Sequence, residues 1–175
     1  TGASVTRRAE PADAAPSGVC DLTLVVFNLG FRPFFLLSGV FATILMAMWV
    51  PGFIGGRVLS TYYGQIAWHS HEMIFGYTVG VIAGFLLTAV RNWTGRSTAT
   101  GGSLATLVTL WLLGRILPFF APTMPAWSIS VVDLAFLPAL TASIGFALMR
   151  HGEKRNLLFL PLILGLFFAN LLVHL

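Results

Sequence analysis

Charge is what this sequence has least of: only 9% of its 175 residues are Asp, Glu, Lys or Arg, six acids against ten bases. About a quarter is usual for a soluble domain, so this scarcity, beside 57% hydrophobic residues and a mean hydropathy of +0.86, excludes that class. Cysteine is nearly absent too. The lone Cys20 excludes an internal disulfide and any Cys-x-x-Cys metal or redox motif. The short alternating segments of a membrane β-barrel are also missing, and no nucleic-acid-binding module is present.

What is present is a set of long apolar runs, at about 34–50, 66–90, 102–119, 127–149 and 156–175. Each is long enough to cross a hydrocarbon layer of about 30 Å. Lipid offers no partner to free backbone N–H and C=O groups, so each run must be helical. The sequence therefore predicts an all-α, polytopic integral membrane bundle of about five transmembrane helices over 31–175. Residues 1–30, rich in Ala, Pro and Ser, bring too little apolar surface to fold and read as a flexible cytoplasmic tail rather than a cleaved signal. Pro33 suits the first turn of span one, Pro51-Gly52 its end, and Pro118, Pro122 and Pro125 a tight connection. Pro138 and Pro161 predict kinks in spans four and five. Trp49, Trp68, Trp93 and Trp127 fall near helix ends, where an indole keeps its N–H among lipid headgroups.

Basic residues set the orientation. Arg7, Arg8 and Arg32 precede span one, Arg91 and Arg96 follow span two, and Arg150, Lys154 and Arg155 follow span four. All lie on one side of a five-span bundle, which places the N-terminus in the cytoplasm. The net charge of +4 and pI of about 10.0 then follow from topology and anionic lipid, without nucleic acid.

With that topology, the polar residues inside the spans collect at one depth. His69, His71 and Glu72 open span two, Arg115 is late in span three, Asp133 early in span four, and His174 closes span five. At about 1.5 Å per residue the histidines lie about 10–15 Å from mid-helix toward the outside. Neutral imidazole is a common metal ligand and a carboxylate can orient it, so His69, His71 and His174 are the candidate ligands, with Glu72 and Asn170 in support. His69 and His71, two apart, point about 200° away from one another in regular helix. Either one of them ligates alone or an irregular first turn unites them. Asn170, four before His174, shares its face and could hold its ring, and Met73, four after His69, could offer sulfur to Cu(I). Glu72 heads a row through Gly76, Gly80 and Gly84, which admits a neighbouring helix or a flat macrocycle.

Each feature has a plainer reading. Histidines near helix ends can be interfacial side chains, Arg115 with Asp133 an ion pair between helices, and the glycine row simple packing. A loop histidine such as His151 is most simply solvated.

The order Gly30-Phe31-Arg32-Pro33-Phe34-Phe35, Trp68-His69-Ser70-His71-Glu72-Met73, Gly84-Phe85-Leu86-Leu87-Thr88-Ala89-Val90 and Asn92-Trp93-Thr94-Gly95 resembles the NnrS family. The likeness continues through Trp111-Leu112-Leu113-Gly114-Arg115 and Asn156-Leu157-Leu158-Phe159-Leu160-Pro161 to Ala169-Asn170-Leu171-Leu172-Val173-His174. It implies a multi-pass protein of the bacterial inner membrane, with haem or copper as cofactor and a role in nitric-oxide metabolism or nitrosative-stress defence. It carries metal roles to His69, His71 and His174. Members are as a rule longer, so the likeness is to an N-terminal portion or short form, whose partners are membrane lipid and further transmembrane helices or subunits. Whether it is an enzyme stays open. The rival expectation is a non-catalytic structural or assembly subunit of a larger membrane complex. Half of a transporter would want an ionisable group near mid-membrane, which the clustering at one end does not provide.

Overall fold

The computed structural model describes residues 27, 29–55, 60–151 and 154–175, without the side chains of 150, 151, 154 and 155. Most of the expected tail, with Arg7, Arg8 and Cys20, lies outside the described residues, as does Arg57. Five helices are long and apolar enough to cross a membrane. Helix α1 runs Phe31–Phe53, and α2 occupies Gln65–Thr94. Helix α3 covers Gly101–Ile116 and tightens into a 3₁₀ turn at Leu117–Phe120; α4 is Ala126–His151 and α5 is Phe159–His174, preceded by a 3₁₀ turn at Lys154–Leu158. Among the described residues there is no strand.

Local signals set the boundaries. Helix α2 ends where Gly95 turns left-handed at φ +63°, a conformation that costs glycine little. Helix α3 opens on a capping box in which Ser103 Oγ accepts the Thr100 N–H at 3.1 Å. Pro161 is the third residue of α5, where a backbone N–H has no helical partner in any case. The helix follows directly on the 3₁₀ turn, so Pro161 stands in the first turn of α5 rather than in its interior. Pro138 does lie inside α4.

Helix α2 is the axis of the bundle, with 56% of its most apolar stretch buried against 11% for α5. It packs on α1 and α4, while α3 packs on α4 and α4 on α5. Phe34, Leu87, Leu104, Leu140, Ile144 and Leu148 are wholly enclosed among these helices. Within lipid, apolar burial alone favours association little, and close van der Waals fit decides it. The glycine row supplies that fit, and a helix occupies it rather than a macrocycle. A Cβ on Gly84 would stand 3.0 Å from Phe34 Cβ, and one on Gly80 would strike Ser38 Oγ and come within 3.2 Å of the Trp111 ring. Trp111 is enclosed in turn by Phe34 and Phe41, edge-on at 6.3 and 5.7 Å.

Gly80→Val should therefore part α1 from α2 and lower stability by about 1–3 kcal/mol, the usual range for overpacking. Gly39→Ala, where an added Cβ meets nothing within 4 Å, should leave stability unchanged or raise it slightly. Unfolding midpoints of the two variants in one detergent compare them directly; equal midpoints would mean that the row is not a packing seam.

Candidate metal centre

The site begins with a break in helical regularity. Helix α2 is α-helical over Gln65–His71, widens to a π-helix over Glu72–Thr78 and resumes as α-helix from Val79. Side chains add hydrogen bonds to carbonyls of the widened segment. Thr78 Oγ1 donates to the Met73 carbonyl at 2.8 Å, and the Trp111 indole N–H donates to the Gly76 carbonyl at 3.1 Å. Such π segments occur often at functional sites. Here the widening turns Glu72 fully inward.

From Glu72 a chain of polar contacts crosses four helices. Glu72 Oε2 accepts Arg115 Nη1–H at 2.9 Å, and Arg115 Nη2 donates to Asp133 Oδ1. Glu72 Oε1 lies 3.2 Å from His71 Nδ1. On the other edge of the ring, His71 Nε2 is 2.9 Å from Asn170 Oδ1 and 3.3 Å from Asp133 Oδ2. Asn170 Nδ2 donates to Asp133 Oδ2 at 2.8 Å, and His174 Nε2 approaches the same oxygen at 3.2 Å. Glu72, Asp133, Arg115, His71 and Asn170 are all buried. Two carboxylates thus face one guanidinium, with the His71 ring between them.

The loop before α2 closes the cluster. Tyr63 stacks on the His71 ring at a centroid distance of 4.3 Å, with its hydroxyl 3.2 Å from His71 Nε2 and 3.3 Å from His174 Nε2. Burial, and next the charge of Asp133, raise its pKa far above the ordinary tyrosine value, so the phenol keeps its proton. The loop is tied down independently of the cluster. Tyr62 donates its N–H to the Pro118 carbonyl at 3.0 Å, and its hydroxyl meets Ser130 Oγ at 3.1 Å.

Six of the seven polar residues singled out in the sequence thus meet laterally as well as in depth: His71, Glu72, Arg115, Asp133, Asn170 and His174. His69 does not join them. Its ring stacks on Trp49 of α1 at 4.2 Å, with Nδ1 buried and unpartnered, because the irregular backbone starts only after His71. Met73 is exposed. Asn170 orients His71 and Asp133 rather than His174: sharing a face brings both side chains of α5 to the cluster, but the amide lies a turn deeper, level with the deeper edge of His71. Tyr63 was hidden in the sequence by its resemblance to an ordinary interfacial aromatic. The available signal was its adjacency, across one short turn, to the opening of α2.

The Nε2 atoms of His71 and His174 and a carboxylate oxygen of Asp133 form a group in which all ligand atoms lie within 4.8 Å. No curated protein and no solved structure matches the chain. The family profile described as NnrS protein matches residues 25–175, which takes in all five helices. On that match, the chain belongs to the NnrS family.

Proposed function

We propose that this chain is a metal-binding protein of the bacterial inner membrane, acting in nitric-oxide metabolism or nitrosative-stress defence, with His71, His174 and Asp133 as ligands of a single copper or similar transition-metal ion. Family membership points to a nitric-oxide-related function and to metal or haem chemistry. The observation that carries the reading is the convergence of two imidazole nitrogens and a carboxylate oxygen from α2, α5 and α4.

The residues fit a bare ion. Donors about 2.0–2.1 Å from a tetrahedral ion stand about 3.3 Å apart, and Asp133 Oδ2 is 3.3 and 3.2 Å from the two imidazole nitrogens. A haem is not supported at this cluster, since His71 Nε2 has Asn170, Tyr63 and Asp133 within 3.3 Å and no flat slot beside it. His69, on the far side of α2, lies outside this ligand set. An ion held here supplies a Lewis-acidic, redox-active centre that takes a small neutral gas as ligand. Glu72 fixes the His71 ring through Nδ1, and the Asn170 amide N–H holds Asp133. An apolar cavity of about 300 Å³ between α1, α2 and α3, lined by Phe41, Leu45, Trp68 and Ile116, reaches Arg115 and gives a gas dissolved in lipid a way toward the cluster. With the N-terminus cytoplasmic, the cluster belongs to the periplasmic half of the membrane.

A structural reading keeps one observation in its favour: Arg115, Glu72, His71 and Asp133 form a closed ring of contacts that ties α2, α3 and α4 together without any ion. Metal analysis separates the two. The purified protein should carry about one ion per chain, and His71→Ala and His174→Ala should each lose most of it while remaining folded. A folded, colourless, metal-free wild type would make the chain a structural subunit. Glu72→Gln should weaken metal affinity about 10–100-fold, the usual effect of losing an outer-shell partner, measured by chelator competition. Arg115→Met leaves two buried carboxylates facing one another and should cost about 3–5 kcal/mol, seen as a lower unfolding midpoint in detergent whether or not metal is present.

A further inference from the structure

The convergent group contains four donors. Passing from His71 Nε2 to Tyr63 Oη, to His174 Nε2, to Asp133 Oδ2 and back to His71, successive atoms lie 3.2, 3.3, 3.2 and 3.3 Å apart. Those four separations match one another and the edge of about 3.3 Å expected around an ion with bonds of about 2.0–2.1 Å. The hydroxyl reaches both imidazole nitrogens at once, at 3.2 and 3.3 Å, where an oxygen ligand beside the two rings would stand. We propose that Tyr63 is the fourth protein ligand of the ion, an inference that rests on the reading of His71, His174 and Asp133 given above.

The loop is built to hold that position. Gly64, left-handed at φ +75°, turns the chain into α2, with its N–H bonded to the Thr61 carbonyl at 3.2 Å. Tyr62 is pinned to Pro118 and Ser130 and braces Tyr63 edge-on at 4.8 Å. Tyr63 is thereby fixed from α3 and α4, independently of the imidazoles it touches. The resulting shell is two nitrogens and two oxygens with no sulfur, since Met73 is exposed on α2. Such a set suits a divalent first-row ion better than Cu(I). On binding, the phenol oxygen bonds the ion and its proton passes to solvent.

The test loads the full purified chain, in detergent, with Cu(II). It compares wild type, Tyr63→Phe, Tyr63→His, Tyr62→Phe and, as the control away from the cluster, Tyr77→Phe for visible absorption and for affinity by chelator competition, with circular dichroism to confirm folding. Wild type and Tyr77→Phe should bind one ion and show a phenolate-to-copper charge-transfer band. Tyr63→Phe should lose the band and at least about tenfold in affinity; Tyr63→His, which restores a donor, should recover affinity without the band. Tyr62, Tyr63 and Tyr77 are the only tyrosines in the chain. A band that survives in both Tyr62→Phe and Tyr77→Phe therefore assigns the ligand even if the Tyr63 variants do not fold. One ion bound with no band in wild type, and unchanged affinity in Tyr63→Phe, would overturn the inference while leaving the three-ligand site standing. No copper uptake by the wild type would overturn both.

Discussion

Arg115 is the residue on which the arrangement depends. A guanidinium cannot shed its charge, and within the hydrocarbon it must be matched by carboxylates whose positions then admit little freedom. Glu72 on α2 and Asp133 on α4 provide the match, and by doing so they fix the rotation of three helices about their own axes. Two glycines make room for it. A Cβ on Gly76 would lie 2.6 Å from Glu72 Oε2 and 2.9 Å from Arg115 Nη1, and a Cβ on Gly114 would lie 2.8 Å from Asp133 Oδ1. Gly76 therefore does more than seat a neighbouring helix, as Gly80 and Gly84 do; it admits the ion pairs. The His71 ring lies between the same two carboxylates, so the matching that fixes the helices also gathers the cluster.

The π segment solves a second problem. Adjacent residues of an α-helix diverge by about 100°, so His71 and Glu72 would ordinarily face different neighbours. Placing the change from α to π geometry between them lets both reach one cluster, with the carboxylate against the ring nitrogen of its own neighbour. Thr78 and Trp111 add side-chain hydrogen bonds to two carbonyls of the segment, so the indole of α3 supports the site without touching it.

The bundle was largely legible in the sequence because membranes simplify the problem: length and hydropathy locate spans, and the observed helices depart from the expected runs by a few residues at most ends. Depth was legible for the same reason, which is why six polar residues could be assigned to one level. Lateral position was not, since it depends on how each helix is rotated, and rotation is set by the contacts themselves. The π segment left no trace in periodicity: seven residues are too few to shift a pattern that is apolar almost all round. Pro161 stands in the first turn of α5, which its place in the apolar run could not show, since a run says nothing of where the helix inside it begins. Tyr63 was missed because loops carry no periodicity from which a neighbour in space can be read.

Helix α5 connects the site to the assembly of the bundle. It is the least buried of the five helices, and among its residues only Ile163 and Asn170 are buried. An apolar helix gains little by exchanging lipid for protein, so its packing on α4 leaves its height and rotation loosely determined. Asn170 and His174 supply what packing does not. Bonds to His71 and Asp133 at 2.9, 2.8 and 3.2 Å fix one end of α5 against α2 and α4. The same groups that would hold an ion are therefore those that register the last helix. The contacts that hold His71 and Asp133 in place and those that dock α5 are therefore the same, and loosening either loosens both.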